Sequence, residues 1–383
     1  MPAAGPPVEP RFIQSRHLVV HWDGQVPRVY NYATGSNALI SSSAYVVLDL
    51  YRAWRTASEA AQRCRMLSHE EVASLTEALS DEGFLLRSDR PPAPAEATMD
   101  QLGRWNPAAG FFHSATRDVR FASRERARAV QRAAAETTPW PGPFIPEHVA
   151  LTRLPPPEQS TPVAEAFLER RSWRQFEPLP LPLRSLSSLL WLTGGVQQWV
   201  RTRVGEFALK TSPSGGSLHP VELYVLVRKV RTLKPGFYHY AGADHTLRLL
   251  TPHTREVSIE QYLPEQPWFE LSAAVVFFAA HYDRCLWRYQ YPRAYRAPFI
   301  EAGHLAQTWC VRATEMGLAP FVSMALADSP IEKEIRADGI TRAVLYAAGV
   351  GHRPRGAKWA PLPSGDAPLP RRRNRIRRPL VSE

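Results

Sequence analysis

Residues 169–176 read Glu-Arg-Arg-Ser-Trp-Arg-Gln-Phe and close an apolar helical pattern. Arg170, Arg171 and Arg174 surround Ser172, and this grouping offers fork-shaped donors and a hydroxyl to a phosphate monoester. A second segment, Thr211-Ser212-Pro213-Ser214-Gly215-Gly216-Ser217-Leu218-His219-Pro220, packs glycines and prolines around serines. Its backbone N–H groups can approach a flat ligand without side chains in the way. A phosphate clamp and a bare loop together suit a flavin. Neither segment alone is specific, since arginines at a helix end also make surface ion pairs.

The order and spacing of these segments, with Val221-Glu222-Leu223-Tyr224-Val225 following the second, resemble the FMN-dependent nitroreductase superfamily. Within it they resemble the SagB-like peptide dehydrogenases that make thiazoles and oxazoles. Four further stretches agree: 236–240 with 245–250 as a hairpin, 287–296 running into 301–309, then 316–325 and 345–353. The resemblance covers roughly residues 100–355. It implies an FMN phosphate held by Arg170, Arg171 and Ser172 with Arg174 beside them. It also implies a further basic residue from the C-terminal part, for which Arg353, Arg355 and Arg371 to Arg373 are the candidates. Pro213, Ser214, Gly215 and Gly216 match the loop that faces the flavin ring. The stretch 316–325 matches a loop near the flavin, with Phe321 to Ala325 lining N5 and the dimethylbenzene edge.

In the family, the stretch at 287–296 carries a lysine-tyrosine pair, and the matching residues here are Arg288 and Tyr289. Arginine does not lose its proton near neutral pH, so Arg288 is no general base, although it can bind a carboxylate or a developing anion. Tyr289, with an ordinary pKa near 10, serves as acid or base only where its surroundings shift it. Azoline oxidation and another peptide dehydrogenation both fit this pair. His219 and His304 are next in line as proton carriers. His113 and Arg117, in the stretch that leads into the catalytic domain, either face substrate or pack on the surface.

These residues need a scaffold, and the pattern from 161 onward predicts an α+β fold: an antiparallel-rich central sheet flanked by helices. Helices are expected over 162–171 and 183–195, and strands over 221–229, 236–241, 245–251, 271–282 and 342–351. Gly242-Ala243-Asp244 supplies a tight turn. Leu305, Trp309, Ala313 and Met316 give the 301–316 helix one apolar face. Residues 18–88 read as strand, helix, helix and wing-like strand, a small winged-helix-like unit. Ser68 and Glu71 form a capping box for its second helix. The domain expectation is therefore 1–90 as that unit, 91–160 as a linker with one helix, 161–356 as the FMN domain, and 357–383 as a Pro/Arg-rich tail.

The net charge of +11 draws on six arginines between 371 and 378, so it is a local feature. The second N-terminal helix carries Glu70, Glu71, Glu77, Asp81 and Glu82, which makes it a poor reader of nucleic acid. Adding a leader peptide as a strand to a sheet edge suits the unit better, with a structural appendage as the bland alternative. Three cysteines lack disulfide or metal spacing, and no apolar run is long enough to cross a membrane. The expectation is a cytoplasmic homodimeric enzyme that oxidises a ribosomally made precursor peptide alongside other maturation enzymes. The alternatives are an NAD(P)H-dependent reductase of flavin or small nitro compounds, and a flavin-free peptide-binding protein.

Overall fold

The computed structural model describes residues 9–102, 107–118, 121–137, 162–202, 205–255, 257–289 and 292–357. The first elements are β1 (Arg11–Gln14), β2 (Leu18–Asp23), β3 (Val26–Asn31), β4 (Asn37–Leu39), α1 (Ser42–Asp49), β5 (Arg55–Thr56), α2 (Ala57–Ala61), α3 (His69–Asp81) and β6 (Leu85–Arg87). β1 lies between β5 and β6 in one small sheet, and β2, β3 and β4 form another. The order α1, β5, α2, α3, β6, with β1 completing the sheet, is the winged-helix-like arrangement. Ser41 caps α1, and Ser68 with Glu71 forms the expected capping box on α3. Phe12, Val47, Leu48, Tyr51, Val72, Leu79 and Phe84 fill the core between them.

Two more helices, α4 (Pro94–Leu102) and α5 (Pro107–Ala115), occupy a stretch where the sequence predicts one helix and linkers. The prolines explain the difference. Pro94 and Pro107 sit at the first helical position, where a missing N–H costs nothing and the fixed φ already suits a helix, so they start helices.

The chain continues with α6 (Arg124–Thr137), α7 (Pro162–Glu169), α8 (Leu183–Gly194), β7 (Val196–Thr202), β8 (Gly205–Lys210), β9 (Val221–Val227), β10 (Gly236–Ala241), β11 (Thr246–Pro252), β12 (Ala274–His281), α9 (Tyr282–Arg288), α10 (Ala297–Glu315), β13 (Leu318–Ser323), α11 (Asp328–Ile335) and β14 (Arg342–His352). Six strands form one sheet in the order β11-β10-β9-β12-β14-β13. The pairings β9–β10, β10–β11, β9–β12 and β13–β14 are antiparallel. β9 and β12 are nearly continuous apolar runs because they are central strands covered on both faces. Leu186, Leu189 and Leu190 of α8 and Leu305, Trp309 and Ala313 of α10 share the core with Leu223, Val225, Val276 and Phe278 of the sheet.

Contacts group the chain into two units. One takes in Met1–Asp118 together with His281–Ala297 and Ala337–Ala343; the other takes in Val119–Ala280, Pro298–Arg336 and Val344–Glu383.

Two expectations change here. Residues 318–323, read as part of a loop, form β13, because Leu318 to Phe321 are all buried. The apolar face of α10, which a homodimer could have used as contact area, packs into the unit's own core: Leu305, Trp309 and Ala313 are buried.

Candidate functional site

α10 organises the site in the second unit. Near its start stands Glu301, a carboxylate 4% exposed. Its oxygen accepts from the backbone N–H of Val221 at 3.4 Å, and it is hydrogen-bonded to the Ser214 side chain. Burial pushes the Glu301 carboxyl above its ordinary value, opposed by the Ser214 and Val221 hydrogen bonds and by Lys210 and His304. Two turns further on, Thr308 pairs its hydroxyl with that of Ser212 at 3.1 Å. The 211–221 loop is thus tied to α10 at two points, roughly 10 Å apart by helical rise.

Within the loop, Ser214 is the hub. Its carbonyl accepts from the N–H of Ser217 at 3.1 Å, and its hydroxyl oxygen accepts from the N–H of His219 at 3.0 Å. Gly216, Ser217 and His219 have φ of 67°, 53° and 44°. Glycine adopts this left-handed backbone freely, whereas serine and histidine hold it at a cost of order 1–3 kcal/mol each, sustained by surrounding bonds. Pro213 and Gly215 are exposed, and Ser214 and Gly216 half-buried. His219 itself is buried, and its Nε2–H donates to the Ala208 carbonyl of β8 at 2.9 Å, so it anchors the β7–β8 hairpin. His304, on α10, is exposed.

The arginine cluster follows the end of α7. Arg170 acts electrostatically on Cys310 of α10 and Tyr346 of β14, which places its charge beside that helix. Burial pushes the Cys310 thiol up to about 12, and Arg170 pulls the other way. Arg171 donates to the carbonyls of Leu168 and Arg170 at 2.8 and 2.7 Å, so it caps α7. Ser172 and Arg174 are half-buried.

Of the C-terminal candidates, Arg353 lies over the Trp173 ring at 5.4 Å and donates to the carbonyls of Leu318 and Thr314. Burial lowers its pKa, and Glu169 opposes that. Arg355 has an exposed side chain, and its backbone N–H donates to Glu177. Arg371 to Arg373 lie outside the described residues.

Phe321, expected to line the flavin ring, is fully buried and stacks on Phe269 with centroids 3.7 Å apart, so it faces the core instead. Met324 just beyond it is 79% exposed.

In the first unit, Arg288 and Tyr289 end α9. Cys285 and Leu286 turn inward while Trp287 and Arg288 are exposed, and the Arg288 guanidinium sits 5.9 Å from the Tyr289 ring centre. His113, expected either to face substrate or to pack on the surface, is buried. Its ring bonds to the Gly339 carbonyl and the Tyr295 hydroxyl. Glu301 escaped the sequence reading altogether, although its spacing of three from His304 on a helix start was the available signal.

The nitroreductase family model matches residues 168–352. A Methanocaldococcus jannaschii protein named as a nitroreductase is 33% identical over 175 residues, which are 45% of this chain and 83% of that protein. The trifolitoxin-processing protein TfxB of Rhizobium leguminosarum bv. trifolii is 27% identical over 148 residues, 37% of this chain. The match spans 39% of TfxB's own length. Among solved structures, a chain of the E. coli microcin synthetase McbBCD complex, with truncated pro-MccB17 bound, is 21% identical with a TM-score of 0.49, covering 70% of this chain and 100% of that one. An Anabaena variabilis nitroreductase structure is 24% identical with a TM-score of 0.43, covering 50% of this chain and 38% of that one.

Proposed function

This chain belongs to the nitroreductase family, and we propose that it is an FMN-dependent oxidoreductase that dehydrogenates a ribosomally synthesised precursor peptide, azoline to azole being one form of that reaction. The observation that carries the flavin reading is the double tie of the 211–221 loop to α10 through Glu301 and Thr308, with Arg170 acting on Cys310 of the same helix.

The residues fit the cofactor. Arg170, Arg171, Ser172 and Arg174 would hold the phosphate, and the backbone of Pro213, Ser214, Gly215 and Gly216 would flank the ring. Arg353 would contribute a positive charge from a guanidinium already bonded to two carbonyls, and Arg355, with an exposed side chain, is the alternative. Bound FMN would supply the hydride acceptor. Tyr289 takes the substrate proton, and Arg288 stabilises the charge that develops.

The peptide reading draws on the likeness to TfxB and on the winged-helix-like unit. There β2 is the terminal strand of its sheet. A groove of about 360 Å³ runs between Gln14, Leu18, Val20, Tyr45, Leu48, Asp49 and Arg52. A leader peptide added beside β2 would gain main-chain hydrogen bonds and side-chain pockets together. Partner maturation enzymes, a homodimer and a cytoplasmic location belong to the same proposal. Among the described residues no helix is long and apolar enough to cross a membrane.

The higher identity to the M. jannaschii protein favours a second reading, NAD(P)H-dependent reduction of small molecules. One experiment separates the two. The purified protein is heated and the released cofactor identified by chromatography, with FMN expected; FAD overturns the FMN assignment, and a colourless protein overturns the flavin reading and leaves a flavin-free peptide-binding protein. The intact protein is then mixed anaerobically with precursor peptide or with NAD(P)H. Loss of the oxidised-flavin absorbance band with peptide alone supports dehydrogenation, and loss with NAD(P)H alone supports the reductase.

A further inference from the structure

Three separated stretches of chain meet in the first unit at one imidazole. α5 contributes His113, which is 4% exposed. Its Nε2 lies 2.8 Å from the carbonyl oxygen of Gly339, so that nitrogen carries the hydrogen and donates. The neutral ring then has an acceptor at Nδ1, and the Tyr295 hydroxyl, 3.2 Å away, donates to it. The Tyr295 ring in turn stacks on the Tyr282 ring, with centroids 5.3 Å apart and planes 8° from parallel. The directions form one chain, Tyr295 to His113 to the Gly339 carbonyl, with the Tyr282 ring stacked on its first member.

Both ends of that chain are themselves held. Asp338 accepts from the backbone N–H groups of Ile340, Thr341 and Arg342, and Gly339 has a φ of 70°, so its carbonyl has a fixed direction. The Tyr282 N–H donates to the Thr341 carbonyl at 2.9 Å. Beside them Leu286 of α9 and Ile340 pack in one cluster with Tyr32 and Met99. α5 reaches this place because Gly110 lies against the Tyr32 ring, where a Cβ would come within 2.5 Å of a ring carbon. The segment from Tyr282 to Arg296 is therefore pinned by its two tyrosines, and Arg288 and Tyr289 lie between them.

We propose that His113 is a positioning residue that, through Tyr295 and Gly339, fixes the backbone segment carrying Arg288 and Tyr289. The functional consequence rests on the reading of Tyr289 as the proton-transfer group; the positioning itself does not. A neutral ring is essential, since a protonated one has no acceptor for Tyr295. Burial lowers the His113 pKa to about 4, which keeps the ring neutral at neutral pH.

Asparagine and glutamine separate the two bonds. His113→Asn offers an oxygen near the Nδ1 position, retaining the acceptor for Tyr295, whereas His113→Gln reaches the Nε2 position and retains the donor to Gly339. Full-length variants are compared by amide hydrogen exchange followed by mass spectrometry and by turnover. His113→Gln and Tyr295→Phe are expected to speed exchange across 282–296 about tenfold and to lower kcat by a similar factor, with KM and flavin content unchanged. His113→Asn is expected to keep the 282–296 segment protected and kcat near wild type, and to loosen 337–343 instead. Wild-type exchange across 282–296 in both His113→Gln and Tyr295→Phe overturns the proposal, as does equal loosening of both segments in all three variants. Selective loosening with unchanged kcat upholds the positioning and overturns the role assigned to Tyr289.

Discussion

Glu301 in the second unit and His113 in the first are both buried, and burial pushes each towards its neutral form: the carboxyl upward, the imidazole down to about 4. They differ in what they hold. Glu301 steadies a loop whose composition already announces a ligand, and its bonds end on Ser214 and Val221 of that loop. His113 holds a segment with no glycines and no loop signature, through partners 182 and 226 positions away. On the proposed function, cofactor retention and turnover have separate anchors within one chain, and substitutions should separate them.

The largest effect is expected at Tyr289. Tyr289→Phe should lower turnover about 10²–10⁴-fold while leaving flavin bound, because it removes a proton-transfer group and no phosphate contact. Single-turnover flavin reduction by peptide measures it, and full-speed reduction would move the base elsewhere. Arg170→Ala should act the other way round. It removes charge-assisted bonds worth about 1.5–3 kcal/mol, so FMN binding should weaken roughly ten- to hundredfold, with turnover at saturating FMN little changed. Titration of the apoprotein reads it directly; unchanged affinity would take Arg170 out of the clamp.

The contrast also explains what was legible in the sequence. The capping box at Ser68, the apolar runs of β9 and β12 and the Gly216 turn are local patterns, and each specifies its element within a few residues. The β7–β8 hairpin escaped notice because its burial is slight: Trp199, Val200 and Leu209 are exposed, so no clean alternation marks it. The helices that begin at Pro94 and Pro107 fall inside the stretch expected as a linker with one helix, because proline both punctuates linkers and starts helices. Glu301 and His113 were missed or misplaced for one shared reason: their partners lie far along the chain, and only the folded backbone brings them together. Phe321 shows the converse. Its motif resembles a cofactor-lining stretch, but the stacking on Phe269 decides where the ring goes.

The smallest effect, and the one that tests the Glu301 half of the comparison, is a slope against pH. A carboxyl whose folded pKa is raised above its ordinary value of 4.5 binds more protons in the folded state than in the unfolded state across the interval between the two values. Stability therefore falls as pH rises through that interval, and below it the penalty is absent. Glu301→Gln keeps an acceptor for the Ser214 hydroxyl and the Val221 N–H but cannot ionise. Its melting temperature should match wild type at pH 4 and rise above it as pH increases through the interval, the difference then staying constant. Flavin affinity should change by less than about threefold, because the loop keeps its hydrogen bonds. Parallel melting curves at every pH would show that Glu301 is not the buried ionisable group this geometry makes it. A large loss of flavin in the same variant would mean that the negative charge itself, and not the hydrogen bonding, holds the loop.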